Sequence, residues 1–153
     1  MRIEELPRVV TTRLVKSVDL NHHGTLFAGR MAEWLVEIGF LTARQALACD
    51  PRELVCVRLH GMNFTRSAEN GATVLMEGRV AYVGRTSVTV FVQCFTLAPL
   101  TNERTFITEG FTTFTKIIEG KTVPHGLIVE PPQDPEAVKL WDMIEAERQQ
   151  RAK

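Results

Sequence analysis

The side chains with chemistry to offer lie in one run, Asn21 to Leu47, reading NHHGTLFAGRMAEWLVEIGFLTARQAL. Glu33 and Glu37 stand four residues apart, and with Arg30 and Arg44 they fall within roughly 60° of one another at about 100° per helical residue. Two carboxylates at that spacing repel by a few tenths of a kcal/mol when exposed and by more when desolvated. Two arrangements relieve the repulsion. Either the arginines neutralise the stripe as local ion-pair partners, or one glutamate faces a cleft, where burial raises its pKa and suits it to take a proton from water.

Just upstream, Asn21, Gly24 and Thr25 lead into a helix start, whose free backbone N–H groups can polarise a carbonyl oxygen or hold an anion. Asn21 and Gly24 are also the usual formers of tight turns. His22, His23 and His60 are neutral imidazoles near pH 7, and His23, in the loop, is a candidate base. Loop histidines serve as readily as hydrogen-bonding or surface residues. Adjacent histidines are not the i,i+4 pair of a helical zinc site, and no cysteine or carboxylate cluster completes one, so no metal is expected.

The elements that must position these groups follow from pattern. Met31, Trp34, Leu35, Ile38, Leu41 and Ala46 recur at three- and four-residue intervals, and Ala32, Val36, Phe40, Ala43 and Leu47 extend the apolar surface, which predicts a long helix buried on nearly all sides. Cys49 to Arg52, with Pro51, stop it. A strand is expected at Val9 to Val18, and four more at Leu54 to Phe64, Thr73 to Val83, Ser87 to Leu97 and Thr105 to Ile117, separated by Asn70-Gly71, Gly84-Arg85 and the Pro99 to Asn102 turn. In the fourth strand Val88, Val90, Val92 and Cys94 point one way and Thr89, Phe91, Gln93 and Phe95 the other, so both faces need cover.

This order predicts an α+β fold, a curved antiparallel sheet wrapped around a long central helix. The absence of βαβ alternation and of a Gly-rich phosphate loop argues against a nucleotide-binding α/β fold. Residues 1–128 read as a single domain; 129–153 read as a stiff linker, VEPPQDP, and a charged helix from Glu136 to Arg151 that docks outside the sheet.

With 18 basic and 18 acidic residues among 153, the formal charge is zero, so no field advertises nucleic acid or an anionic membrane, and self-association meets little electrostatic resistance. No run approaches a membrane span. Three cysteines, an odd number without metal spacing, and the lack of a signal-peptide pattern point to a reduced, cytoplasmic protein.

The run NHHGTLFAG, the segment HGMNFTR at His60 to Arg66 and the GRTS turn at Gly84 to Ser87, in this order, resemble the hot-dog-fold acyl-CoA thioesterases of the cytosolic hydrolase type, over roughly Thr11 to Ile118. The resemblance implies a homo-oligomer whose unit is a dimer, assembled further into tetramers or hexamers, with the active site at the dimer interface. It implies hydrolysis of an acyl-CoA thioester by water, without a cofactor. Asn21 would position substrate or water, and the turn at Ala28-Gly29, after Gly24, would hold the carbonyl. The nucleotide of CoA would lie near Gly84, Arg85, Thr86 and Ser87, with Arg66 and Arg85 as partners of phosphate. In hydrolases of this pattern the acid stands seven residues after the second small residue of the loop, here Gly29, and that position holds Val36. Valine cannot activate water. Glu37 lies about 100° away on an ideal helix and Glu33 about 60° away, one turn earlier. Either serves as the alternative base, with Glu37 ahead if a local bend swings it inward. The competing reading is a non-catalytic acyl-CoA or acyl-carrier binding module.

Overall fold

The periodic apolar stripe forms the helix α1, Ala28–Leu47, in a computed structural model that describes residues 1–152. Met31, Trp34, Leu35, Ile38, Gly39, Thr42 and Ala43 are its buried residues. The helix ends at Ala48, which adopts the left-handed conformation at φ 49°, and Pro51 then opens a short 3-10 turn capped by Asp50. Burial is confined to one side. Glu33, Glu37, Leu41 and Gln45 are exposed and Val36 and Phe40 only half covered, so the helix is less enclosed than its composition predicts.

The sheet consists of β1 (Val9–Leu14), β2 (Leu54–Phe64), β3 (Thr73–Val83), β4 (Ser87–Leu97) and β5 (Arg104–Ile118), all antiparallel in the order β1-β3-β4-β5-β2, with the short β6 (Lys121–Thr122) paired to β5. The first strand stops four residues earlier than alternation suggests. Lys16 to Leu20 turn instead, because the Asp19 carboxylate accepts from the Lys16 amide at 2.9 Å and the Asp19 amide donates to the Lys16 carbonyl at 2.9 Å.

Two close approaches seat α1 on the sheet. A Cβ on Gly78 of β3 would strike Thr42, and one on Gly39 of α1 would strike Thr112 of β5. The core between them includes Leu35, Ile38, Val74, Met76, Val90, Val92 and Phe114, with Cys94 fully buried and its thiol pushed up to about 12 by burial.

The outer face of the sheet is covered by α2, Pro135–Arg151, whose N-terminus is capped by Asp134 accepting from the Ala137 amide at 3.1 Å. Leu140 and Ile144 pack on Ala81, Tyr82, Phe91 and Phe111. Trp141 lies against Tyr82 with ring centroids 4.3 Å apart, and the Tyr82 hydroxyl donates to Glu145. The sequence-based expectation that this helix docks outside the sheet holds. Both ends of the strand order are open edges, and β2 exposes Val57, Leu59 and Phe64 along one of them.

Candidate active site

The loop before α1 is built around Asn21. Its side-chain oxygen accepts from the amides of His23 at 2.9 Å and Thr25 at 3.2 Å, while its backbone N–H donates to the Thr25 carbonyl at 2.8 Å. Gly24, at φ 80°, supplies the left-handed residue this tight return requires. Asn21 Nδ2 lies 3.3 Å from Thr25 Oγ1, and the side chain borders a cleft.

Three contacts pin the loop to the body. The Leu26 amide donates to the Ala68 carbonyl at 2.9 Å, and the Phe27 amide donates to the Asp19 carbonyl at 2.8 Å. Buried Asp19 also pairs with Arg30 Nε at 3.3 Å. The first intrahelical bond runs from Met31 N to Phe27 O at 3.0 Å, which leaves the amides of Ala28, Gly29 and Arg30 without an intrahelical acceptor. Gly29 has no Cβ because the Phe27 ring lies across it, 2.5 Å from where that carbon would sit.

The cleft at this helix start has a volume of about 240 Å³ and is lined by Asn21, Ala28, Met31, Phe64, Arg66 and Thr108 among others. Its lining is neutral apart from Arg66. Free amides at a helix start that borders a cleft of mixed polarity can stabilise negative charge developing on a carbonyl oxygen.

The structure does not gather all the residues that sequence reasoning singled out. Glu33 and Glu37 do not line the cleft. Glu33 is exposed and accepts from Arg30 Nη1 at 2.9 Å; Glu37 is exposed and bound by Arg13 of β1, whose guanidinium also lies 5.3 Å from the Trp34 ring. Arginines thus neutralise the stripe, but Arg13 takes the place expected of Arg44. The helix runs unbroken, so no bend carries Glu37 inward. Val36 is half-buried, and His22 and His23 are exposed on the loop with ring centroids 3.9 Å apart.

Arg66 and Arg85 lie at opposite ends of the sheet. Arg66 donates to the Phe106 carbonyl at 3.2 Å, near the start of β5, whereas Ser87 pairs with Thr115 near its end. From Phe106 to Thr115, at about 3.3 Å per residue, the two ends are about 30 Å apart, so the two arginines of one chain cannot share a phosphate. Gly84, Arg85, Thr86 and Ser87 turn between β3 and β4, closed by the Gly84 amide donating to the Ser87 carbonyl at 2.9 Å. Sequence reasoning missed the Asp19–Arg30 brace and the approach of α2 to this turn. A charged residue just before the loop was the one available signal for the brace, and nothing local signals the approach of a helix some sixty residues away in sequence.

Comparison with known proteins supplies a context for this geometry. The family model described as "Thioesterase superfamily" matches residues 23–100. The uncharacterized acyl-CoA thioester hydrolase YkhA of Bacillus subtilis is 31% identical over 134 residues, 87% of this chain and 75% of that protein. The crystal structure of an apo-hexameric acyl-CoA thioesterase superposes with a TM-score of 0.84 at 33% identity, covering 99% of this chain and 94% of the other. An acyl-CoA hydrolase from Bacillus cereus superposes with a TM-score of 0.83 at 25% identity, over 95% and 86% of the two chains.

Proposed function

The chain belongs to the thioesterase superfamily, and we propose that it hydrolyses an acyl-CoA thioester to the free acid and CoA at a site completed by a second copy. The observation that carries the reading is the α1 start. The amides of Ala28 and Gly29 precede the first intrahelical bond, and Ala28 lines a cleft bordered by Asn21. In this reading the thioester carbonyl oxygen sits on those amides. Water adds to the carbonyl carbon and gives up a proton to a base, the oxyanion forms where the amides await it, and its collapse breaks the C–S bond so that the thiolate departs and is reprotonated.

The base comes from α1. Both carboxylates carry an arginine, Arg30 on Glu33 and Arg13 on Glu37, and Glu33 is the stronger candidate because it stands one turn closer to the α1 start and its partner is on the same helix, whereas Glu37 is held by the far edge of the sheet. Both carboxylates are exposed on their own chain and so open to another copy. The open β2 edge, with Val57, Leu59 and Phe64 exposed, supports assembly through that strand. Pairing identical edge strands antiparallel about a two-fold axis reverses one chain relative to the other. The Gly84–Ser87 end of one subunit would then lie beside the Asn21 cleft of its partner, and the separation of about 30 Å within one chain would cease to matter. Hexameric assembly is described for the acyl-CoA thioesterase relative.

A second reading, a non-catalytic acyl-CoA binding protein, is favoured by one observation: no carboxylate or histidine lines the cleft among the described residues. Thiol release from short-, medium- and long-chain acyl-CoAs separates the two, run beside Asn21→Ala, Glu33→Gln and Glu37→Gln variants of measured oligomer size. Turnover abolished by Glu33→Gln without loss of assembly names the base. Absence of turnover by the unmodified protein, with acyl-CoA still raising Tm, establishes the binding protein instead.

A further inference from the structure

Asp19 is the one carboxylate buried among the described residues, its side chain 7% exposed, and it does not line the cleft. All three of its oxygens are engaged. Oδ2 accepts from the Lys16 amide at 2.9 Å, Oδ1 pairs with Arg30 Nε at 3.3 Å, and the backbone carbonyl accepts from the Phe27 amide at 2.8 Å. One residue thus grips the chain on both sides of the α1 start. Ala28 and Gly29, whose amides have no intrahelical acceptor, stand between the two holds.

The turn alone does not account for a charge here. Asparagine or serine also accepts from a nearby amide in such a turn, and a carboxylate taken out of water is costly unless a cation meets it. Arg30 is that cation. Its guanidinium is fixed at Nε by Asp19 and reaches Glu33 Oε2 with Nη1 at 2.9 Å, so a buried carboxylate, a guanidinium and an exposed carboxylate three residues further on form one chain. Of the other cations in the adjoining hollow of about 410 Å³, Arg13 is committed to Glu37 and Lys16 is exposed.

We propose that Asp19 is a positioning residue of the hydrolase: its carbonyl and its carboxylate set the first turn of α1 so that the Ala28 and Gly29 amides meet the thioester carbonyl, and through Arg30 it aims Glu33. This rests on the hydrolase reading above. A displacement of about 1 Å at such a turn is enough to lower the rate about a hundredfold. An ion pair anchored in the core opposes that displacement.

The test joins steady-state kinetics on one acyl-CoA to native-state amide hydrogen exchange, in Asp19→Asn, Arg30→Gln and the double variant, each of measured oligomer size. In Asp19→Asn, kcat is expected to fall roughly ten- to a hundredfold while KM changes by less than about threefold. The double variant loses no more than the worse single one, because the two side chains act as a unit. The Phe27 and Met31 amides, bonded to Asp19 and Phe27, exchange about tenfold faster or more, while those of Leu35 and Ile38 in the body of α1 keep their protection. Arg30→Lys, which keeps a cation for Asp19, restores the protection that Arg30→Gln removes. Lys16→Gln, an exposed cation on the same hollow, leaves kcat and exchange unchanged.

An unchanged kcat in Asp19→Asn overturns the proposal, as do a loss confined to KM, single-variant losses that multiply in the double variant, or exchange that quickens equally along all of α1. If Asp19→Asn does not fold, Arg30→Gln and Arg30→Lys alter a side chain that is 38% exposed and carry the same comparison; a lysine variant as unprotected as the glutamine one overturns the ion pair as the hold. An unmodified protein that cleaves no acyl-CoA refutes hydrolysis, and the hold of Asp19 on the α1 start then stands or falls on the exchange pattern alone.

Discussion

The contact between Gly39 and Thr112 makes the seating of α1 measurable. Gly39→Ala brings two opposing effects. Replacing glycine in a helix interior gains about 1 kcal/mol of intrinsic helix stability. The new methyl, however, lands on Thr112 Oγ1, lies 3.1 Å from Thr112 Cβ and 3.3 Å from Phe114 Cε2, and has nowhere to go in a closed core. Overpacking of that kind costs about 1 to 3 kcal/mol, so the single variant is expected to lose up to about 2 kcal/mol. Thr112→Ala removes the obstructing oxygen. Its methyl loss costs about 1 kcal/mol, partly offset because Thr112 Oγ1 is buried without a hydrogen-bond partner. In that background Gly39→Ala becomes neutral or stabilising, which gives a coupling of about 1 to 3 kcal/mol between the two sites. Urea unfolding at one fixed protein concentration reads it, since assembly adds a concentration-dependent term. Single-variant effects that add to within about 0.5 kcal/mol would refute the steric account.

Three further outcomes follow from other contacts in the structure. Burial holds His60 below its usual value of 6.5, with Glu147 pulling it back up and Arg58 adding to the downward push; the folded protein then binds fewer protons than the unfolded chain, so Tm falls as pH drops below about 6.5, and His60→Gln flattens that dependence. Gly29→Ala forces the Phe27 ring off the helix start, and thiol release is expected to fall by roughly ten- to a hundredfold through displacement of the amides, while circular dichroism stays unchanged. Trp141→Ala removes the half-buried anchor against Tyr82 and costs about 2 kcal/mol by denaturant unfolding.

The strands and the central helix were legible because their periods are local properties. The alternation of Val88, Val90, Val92 and Cys94 corresponds to the fully buried row of β4. Errors arose where a side chain outcompeted the pattern, as when Asp19 capped the Lys16 turn and cut β1 short at Leu14. The apolar residues of α1 overstated its enclosure, because composition does not reveal that Val36 and Phe40 stay only half covered. Site geometry was the least readable. Glu37 was drawn to Arg13, twenty-four residues away in sequence, and Arg66 and Arg85 were separated by the length of β5. Contacts of that range have no period to betray them.

The distance between the Asn21 cleft and the Gly84 turn has a genetic consequence. In the dimer proposed above, each working site would join the Asn21 loop of one copy to the Gly84 to Ser87 end of another. A lesion at Asn21 and a lesion at Ser87 would therefore disable different halves of the same composite unit. Two such alleles expressed together yield mixed dimers in which both defects fall in one site and the other site is whole. Interallelic complementation, with up to half the activity of each mixed dimer restored, is the behaviour of a chain whose two working ends face different neighbours.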